Sequence, residues 1–450
     1  MKSFALRLAS VIMAITVLLS VSAVCAGAIS FPNNVQTQSK SILLVSMDTG
    51  QTVYEKDADE KRYPASTTKI MTYIVAVEHI DDVENTRVRI KQEIIDELRN
   101  TGSSMAYLSD HIGQDVKVID LLYSLMVPSG NDAAMVLADY VGEGDIQKFV
   151  DMMNAKAEEL GCQNTHFANP DGLHNEDHYT TARDLLKITN YALTLPNFMK
   201  IANTTSYTCE GDDDPLVTTN YLIDEARGGE YYYMYAEGIK TGTTDEAGRC
   251  LVTTAKADGQ SYILVLLGAP YKEGEMEEYY TFTDAADLFR WALTSLELTT
   301  VKTAQTPICE CNVKLAMNKD KVTLLPERNL NAILPTDLKE ENILVETDVP
   351  ETLEAPLSPD KPVGKATVYY VDTATGEKQE IETVNLVPAE AIDRSGIMAT
   401  LEVTGAIFRS YWFLIVIGAI ILIMLIYVIA AKIHRHRKKK RRDVKRYRNF

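Results

Sequence analysis

The sequence predicts an α+β fold for roughly the first 300 residues, followed by a small all-β domain and one transmembrane helix. Strand patterns lie at both ends of the first region: residues 42–46, 52–55, 248–255 and 262–268. Helical patterns fill most of the interval from 68 to 195, and an amphipathic helix is predicted over 283–296. Strands at both ends with helices between them are typical of a sheet flanked by helices. After residue 303, short alternating stretches between Pro- and Asp-containing turns indicate the all-β module.

The N-terminus has the pattern of a secretory signal peptide. Two basic residues precede an apolar core, and small residues follow it, so we predict a signal peptide over residues 1–28. Cleavage after Ala26 or after Ala28 fits the pattern. Cys25 also allows a lipoprotein interpretation, although Val24 is bulky for the position before a lipidated cysteine.

A second apolar segment lies near the C-terminus. Residues 411–431 carry no charge, and at ~1.5 Å per residue a helix of this length reaches ~32 Å, enough to cross a membrane core. Residues 432–450 follow with eleven Lys or Arg and one Asp. Because cytoplasmic flanks of membrane spans are rich in Lys and Arg, we predict a single-pass cell-membrane protein whose large domain before the span is extracytoplasmic.

Charge excludes one class of partner. The whole chain has a net charge of −18, and both predicted ends are basic, so the part between them is more acidic still. A strongly acidic surface argues against nucleic-acid binding. The mature chain would keep an odd number of cysteines, for which we assign no disulfide: Cys162, Cys209, Cys250, Cys309 and Cys311.

A serine and a lysine are spaced three residues apart at the start of an apolar segment. Ser66-Thr67-Thr68-Lys69 precedes residues 70–77, and Pro64 lies just upstream, where helix starts tolerate proline. In a helix, residues i and i+3 share a face, so the Lys69 amine can reach the Ser66 hydroxyl. A lysine activates a serine when burial or a neighbouring cation lowers the lysine pKa. Alone, this spacing is a weak signal.

Two further motifs follow in the order that serine acyl transfer requires. Ser129-Gly130-Asn131 comes after an apolar stretch, residues 119–127. Lys240-Thr241-Gly242-Thr243 precedes a strand-like run at 250–254. The combination of S-x-x-K, S-x-N and K-T-G resembles the motifs of the penicillin-recognising serine enzymes.

Four longer stretches narrow this resemblance to the low-molecular-mass penicillin-binding proteins, specifically the D-alanyl-D-alanine carboxypeptidases: residues 63–72, 164–173, 179–185 and 238–248. The resemblance covers about residues 38–395. It implies the penicillin-binding/β-lactamase-like transpeptidase fold, an antiparallel sheet flanked by helices with a helical subdomain. The boundaries that we predict are 1–28 for the signal peptide, 29–300 for the carboxypeptidase domain, 301–390 for the β-rich domain, 391–410 for a juxtamembrane connector, 411–431 for the transmembrane helix and 432–450 for the tail.

The resemblance implies catalytic roles for three motif residues. Ser66 would attack the carbonyl between two terminal D-alanines, Lys69 would be the base for acylation, and Ser129 would relay a proton to the departing D-alanine. The backbone amides of Ser66 and Thr243 would form the oxyanion hole. The acyl-enzyme would then be hydrolysed by water, so we predict no cofactor.

The other motif residues would bind the substrate. Asn131 would hydrogen-bond the peptide amide of the stem peptide. Lys240 would supply a cation beside the catalytic lysine and help bind the terminal carboxylate, together with the hydroxyls of Thr241 and Thr243. Gly242 would let its strand approach the substrate closely. β-Lactam antibiotics are expected to acylate the same site.

Three histidines form the most metal-like group in the sequence. His166, His174 and His178 have spacings of eight and four, which is not a known zinc pattern, and they lie in a segment rich in turn residues. We therefore predict a structural loop and no metal. Tyr231-Tyr232-Tyr233 is interpreted as a loop that packs on its domain rather than as a glycan-stacking surface.

The predicted function is removal of the terminal D-alanine from peptidoglycan stem peptides, with a role in cell-wall maturation and cell shape. A D,D-endopeptidase or a β-lactamase on the same fold is an alternative, but no Glu-x-x-Leu-Asn element lies between Asn131 and Lys240, which weakens the β-lactamase interpretation. A non-catalytic wall scaffold is a third hypothesis. The intact Ser66, Lys69 and Ser129 argue against it.

Overall fold

The computed structural model describes residues 31, 34–99, 101–106, 108–273, 276–277, 279–317, 319–372, 376, 378–397, 400, 404 and 411–446. The predicted signal peptide, residues 1–28, lies outside the described residues. Part of the predicted connector at 391–410 and the last four residues of the predicted tail also lie outside them.

The chain divides into two compact units. The first comprises Met1–Val301, Leu330–Val345 and Thr367–Glu382, and the second comprises Lys302–Asn329, Glu346–Ala366 and Thr383–Phe450. Two segments that follow residue 301 thus belong to the first unit. Local strand patterns gave no means of predicting this assignment, because the pattern of a strand does not specify the unit in which it packs.

The described residues form nine α-helices: α1 (Lys69–His79), α2 (Gln92–Glu97), α3 (Val118–Met126), α4 (Asn131–Val141), α5 (Ile146–Glu159), α6 (Ala182–Ala192), α7 (Phe198–Ala202), α8 (Tyr280–Ser295) and α9 (Tyr411–Arg446). They also form nineteen strands: β1 (Ser41–Ser46), β2 (Thr52–Lys56), β3 (Arg87–Arg89), β4 (Asp115–Lys117), β5 (Ser206–Tyr207), β6 (Leu216–Val217), β7 (Ala236–Thr244), β8 (Gly248–Ala257), β9 (Gln260–Ala269), β10 (Lys272–Glu273), β11 (Met276–Glu277), β12 (Leu296–Lys302), β13 (Cys309–Lys314), β14 (Lys321–Pro326), β15 (Leu330–Pro335), β16 (Ile343–Asp348), β17 (Thr352–Glu354), β18 (Gly364–Val371) and β19 (Lys378–Pro388).

The first unit is built on a five-stranded antiparallel sheet in the order β2-β1-β9-β8-β7. Both faces of this sheet are covered, because alternate residues of β1 belong to two different hydrophobic cores. Leu43 contributes to the core that includes α6, and Leu44 contributes to the core that includes α8. A strand buried on both faces needs a continuous apolar run, which β1 has. The predicted α+β fold, with helices flanking an antiparallel sheet, is confirmed.

Strands dominate the second unit up to α9. Strand β13 pairs antiparallel with β14 and parallel with β17, and β14 pairs antiparallel with β19. Side chains of β14 alternate between buried and more accessible positions, the pattern of a strand with one face on a core. The predicted all-β character of this C-terminal region is confirmed.

One helix in the described part of the chain is long and apolar enough to cross a membrane. It extends over Tyr411–Lys438, and its side chains make no buried core. Large apolar side chains such as Trp412, Leu414 and Ile423 are exposed along it. The helix continues beyond the predicted apolar segment into the basic tail and ends at Arg446.

Candidate active site

Ser66 lies in a short 3₁₀ turn, Ala65–Thr68, that leads directly into α1. Ala65 has a φ of 47°, in the left-handed region that is unfavourable for alanine. Two hydroxyls stabilise the turn: Thr67 donates to the Pro64 carbonyl at 2.7 Å, and Thr68 donates to the Ala65 carbonyl at 2.8 Å. The serine is therefore presented on a tight turn whose backbone acceptors are occupied by its own side chains.

Lys69 is the first residue of α1, and its side chain is completely buried. Its ammonium donates three hydrogen bonds: to Ser66 Oγ at 2.9 Å, to Asn131 Oδ1 at 2.7 Å and to the backbone carbonyl of Asp171 at 2.6 Å. An ammonium has three protons, so this set uses all of its donors. The i, i+3 spacing that the sequence suggested thus places the amine in direct contact with the hydroxyl.

Burial lowers the pKa of Lys69 to about 8, although the carboxylates of Asp171 and Asp132 oppose the shift. Near neutral pH, roughly a tenth of the amine is then neutral and able to accept a proton. Of the two causes that the sequence analysis named, burial and a neighbouring cation, burial is the one that lowers this pKa. The charge of Lys69 instead contributes to the lowered pKa of Lys240, for which burial is again the larger cause.

Ser129 and Asn131 lie at the junction between α3 and α4. Ser129 has a φ of 65°, and Asn131 is the first residue of α4. Both side chains are almost completely buried. The amide oxygen of Asn131 accepts the hydrogen bond from Lys69, so the lysine positions this side chain.

Strand β7, at the edge of the central sheet, carries the K-T-G motif beside the serine turn. A Cβ added to Gly242 would lie 2.9 Å from the Pro64 carbonyl oxygen and 3.0 Å from the Ser66 amide nitrogen. Only glycine lets the strand lie this close to the turn. The Lys240 ammonium is buried and donates to the Thr241 carbonyl at 3.0 Å.

Two cavities open on either side of Ser66. The first has a volume of about 330 Å³, and the second has a volume of about 650 Å³. Ser66 and Thr243 line both cavities. Ser129, Thr241 and Gly242 also line the first, whereas Asn131 lines the second. Six of the eight predicted site residues therefore line one cleft, and the two lysines are buried against it.

Sequence reasoning missed the contribution of Asp171 and Gly172. The Asp171 carbonyl accepts a hydrogen bond from Lys69, and a backbone acceptor of this kind has no sequence pattern. Gly172 has a φ of 86°, and a Cβ there would lie 2.1 Å from the Ala65 carbonyl oxygen. The Asp-Gly pair signalled a turn, but it did not indicate that the turn packs on the serine.

Replacing Gly172 tests how closely this turn must fit. We expect Gly172→Ala to lower the free energy of unfolding by roughly 2 kcal/mol or more and to slow acylation by a β-lactam, because the new methyl group collides with the Ala65 carbonyl. Gly161→Ala is the matched control, since Gly161 also has a positive φ but open space around it. The control should lose only about 1 kcal/mol and keep its acylation rate. Thermal unfolding and acylation kinetics measure both quantities, and equal effects in the two variants would contradict the close fit.

The three histidines have three different partners. His166 donates from Nδ1 to the Asp177 carbonyl at 2.6 Å, and His174 packs edge-on against Tyr63 with ring centres 4.7 Å apart. His178 is buried against the serine turn. No group of three or more His, Cys, Asp or Glu in the described part of the chain is arranged to bind a metal, and the five described cysteines are free thiols.

Cationic side chains that the sequence analysis did not single out also line the first cavity. Arg227 and Arg249 both contribute to its wall, and the Arg249 guanidinium lies 3.7 Å from the centre of the Tyr279 ring. Guanidinium groups bind carboxylates well. The Arg227 guanidinium already pairs with the Asp224 carboxylate at 2.7 Å, so Arg249 is the stronger candidate to attract an anionic group next to Ser66.

A serine-lysine pair at a helix start, an S-x-N junction and a K-T-G edge strand around one cleft define a serine enzyme of the penicillin-recognising class. Comparison with known protein families identifies two domains in this chain. Residues 28–271 match the D-alanyl-D-alanine carboxypeptidase family, and residues 301–394 match the C-terminal domain of penicillin-binding protein 5. The chain belongs to the D-alanyl-D-alanine carboxypeptidase family, and the predicted resemblance is confirmed.

Individual relatives agree with this assignment. D-alanyl-D-alanine carboxypeptidase DacF of Bacillus subtilis is 35% identical over 235 residues, which span 52% of this chain and 58% of the relative. DacA of Haemophilus influenzae is 28% identical over 373 residues, 81% of this chain and 88% of the relative. The crystal structure of penicillin-binding protein 5 from H. influenzae matches 81% of this chain and all of its own, with a TM-score of 0.63 and 25% identity.

Proposed function

We propose that this chain removes the terminal D-alanine from peptidoglycan stem peptides through an acyl-enzyme on Ser66. The observation that carries the proposal is the 2.9 Å hydrogen bond between Lys69 and Ser66, made by a completely buried amine. A lysine in this state is poised to take the serine proton near neutral pH. Membership of the D-alanyl-D-alanine carboxypeptidase family supports the reaction and the binding of β-lactams.

The reaction begins when neutral Lys69 accepts the hydroxyl proton of Ser66. The serine oxygen then attacks the carbonyl carbon between the two D-alanines, and the negative oxygen that forms is stabilised by the backbone N–H groups of Ser66 and Thr243. The C–N bond breaks, and Ser129 relays a proton to the departing amine. A water molecule hydrolyses the resulting ester and restores the free serine.

Substrate orientation follows from the two cavities. Ser66 and Thr243 line both, so the bond to be cleaved would lie between them. We place the terminal D-alanine in the smaller cavity, where its carboxylate would lie near Arg249 and Thr241, which line that cavity. Lys240, whose ammonium donates to the carbonyl of Thr241, would help to bind this carboxylate, as the family resemblance implies. The larger cavity, lined by Asn131, would take the rest of the stem peptide.

Mass spectrometry tests this function with the full-length protein in detergent. A stem pentapeptide ending in D-Ala-D-Ala should lose one alanine residue, and the Ser66→Ala variant should leave it intact. A D,D-endopeptidase would instead cleave cross-linked peptide dimers and spare the pentapeptide. A β-lactamase would rapidly hydrolyse penicillin, and a non-catalytic scaffold would form no product. Any of these results in place of alanine release would overturn the proposal.

We also propose that α9 crosses the cell membrane once. A helix lying on the membrane surface needs a polar face, but residues 411–431 have none, so a surface position would leave apolar area in water at about 25 cal/mol per Å². The basic residues that follow would lie in the cytoplasm. The carboxypeptidase domain, placed at residues 29–300, and the β-rich domain, placed at 301–390, would then be extracytoplasmic.

Protease accessibility tests this topology. In intact cells stripped of their wall, added protease should remove the ectodomain, while a tag fused after Phe450 should stay protected. Lysing the cells before adding protease is the control, and the tag should then be degraded. Cleavage of the tag from outside, or release of the protein by alkaline carbonate, would contradict a single span.

A further inference from the structure

One buried titratable side chain next to the site has no part in the proposed reaction. His178 is 2% exposed and contacts the serine turn. Its Nδ1 accepts a hydrogen bond from the backbone N–H of Ala168 at 3.0 Å. A backbone N–H can only donate, so Nδ1 carries no proton and the proton of the neutral ring lies on Nε2. Burial lowers the pKa of His178 to about 3, which keeps the ring neutral.

This tautomer determines which group is the donor in the next two hydrogen bonds. Nε2 of His178 lies 2.7 Å from Thr68 Oγ1 and must donate to it. The Thr68 hydroxyl in turn donates a hydrogen bond to the carbonyl oxygen of Ala65 at 2.8 Å. A continuous chain of donors thus leads from Ala168 through the histidine and the threonine to the Ala65 carbonyl.

That carbonyl belongs to the same peptide unit as the amide of Ser66. Because a peptide unit is planar and trans, its C=O and N–H point in opposite directions. Fixing the Ala65 carbonyl therefore fixes the direction of the Ser66 N–H. Two glycines pack closely on this peptide unit: a Cβ on Gly172 would lie 2.1 Å from the carbonyl oxygen, and a Cβ on either Gly172 or Gly242 would lie 3.0 Å from the amide nitrogen.

We propose that His178 and Thr68 are positioning residues, whose hydrogen-bond chain aims the Ser66 amide at the oxygen of the reacting carbonyl. The inference rests on the proposed function, in which this amide is one of two oxyanion donors. Ala65, with its positive φ, would otherwise favour another backbone conformation and turn the amide away. His178 and Thr68 would thus act by orienting the Ser66 N–H group, without touching the substrate themselves.

Two substitutions at Thr68 separate this role from simple packing. Thr68→Val keeps the shape and removes the hydroxyl, whereas Thr68→Ser keeps the hydroxyl. We expect Thr68→Val to lower the acylation rate with a chromogenic cephalosporin by roughly 10- to 100-fold, somewhat less than complete loss of an oxyanion donor. For a D-Ala-D-Ala peptide, kcat should fall while KM changes little. Thr68→Ser should restore most of the acylation rate.

Infrared spectroscopy of the acyl-enzyme gives a readout that a packing defect would not move. The ester carbonyl band should lie at higher wavenumber in Thr68→Val than in the wild type, because its hydrogen bonds are weaker, and it should return in Thr68→Ser. If Thr68→Val does not fold, His178→Phe serves the same purpose. It leaves the Thr68–Ala65 bond in place, so we expect a smaller fall in rate and a smaller shift in the same direction.

The outcomes distinguish this inference from the proposed function. If the wild-type protein is not acylated at all, the proposed function fails. If it is acylated, but folded Thr68→Val reacts at the wild-type rate with an unmoved carbonyl band, only the positioning role is overturned. The positioning role would also be overturned if Thr68→Val reacted slowly and Thr68→Ser did not restore the rate. Where His178→Phe replaces an unfolded Thr68→Val, an unmoved carbonyl band in His178→Phe would overturn it.

Discussion

Ser66→Ala is expected to abolish covalent labelling of the full-length protein by a fluorescent β-lactam. The label forms an ester with the serine oxygen, and alanine has no atom that can replace it. Ser66 is the serine that Lys69 contacts, at 2.9 Å, and it lines both cavities of the cleft. The loss should therefore be complete rather than partial.

Ser104→Ala is the matched control, because Ser104 lines the same two cavities, whereas the Lys69 ammonium bonds to Ser66, Asn131 and Asp171. We expect this variant to keep its labelling. Both variants should unfold at temperatures close to that of the wild type, since each change removes a single oxygen. Persistent labelling of a folded Ser66→Ala protein would mean that another residue is the nucleophile.

Short-range spacing predicted the contact between Ser66 and Lys69, which the structure shows. Ser66 and Lys69 are three residues apart at a helix start, and such residues lie on one face whatever the rest of the chain does. The apolar runs of β1 and β9 likewise predicted strands, because a sheet covered on both faces requires them. The order of the three motifs supplied the rest through resemblance to a family, not through geometry.

The contacts that loops make with the site could not be predicted from the sequence. The Lys69 ammonium binds the backbone carbonyl of Asp171, 102 positions away, and any residue has such a carbonyl. His178 looked like part of a possible metal cluster, and its contact with Thr68 depends on how a long irregular segment folds back on α1. The sequence also left open whether burial or a second cation sets the low pKa of Lys69, and burial sets it. A sequence shows charges, whereas the extent of burial emerges only when the whole unit packs.

The second large effect is expected at Lys69. Lys69→Met keeps the length and apolar stem of the side chain but removes the group that accepts the serine proton. We expect acylation by a β-lactam to fall by roughly 10²- to 10⁴-fold, the range of general-base catalysis. Lys256→Met, at an exposed position on β8, is the control and should react at the wild-type rate. If Lys69→Met retained more than about a tenth of the wild-type acylation rate, Lys69 would not be the general base.

The pH dependence provides an independent test of the same role. The base works in its neutral form, and burial lowers the Lys69 pKa to about 8. Below pH 8 the neutral fraction rises about tenfold for each pH unit, and above pH 8 it approaches its limit. The acylation rate of the wild type should therefore rise with pH and level off above about 8, and this ascending limb should be absent from Lys69→Met. Stopped-flow measurement of the acylation rates of both proteins between about pH 5 and pH 9.5 tests this, because that range extends about one to three units on either side of the Lys69 pKa. A wild-type rate that fell as pH rose toward 8 would show that the protonated amine is the active form, and Lys69 would then act as an acid or as a fixed charge.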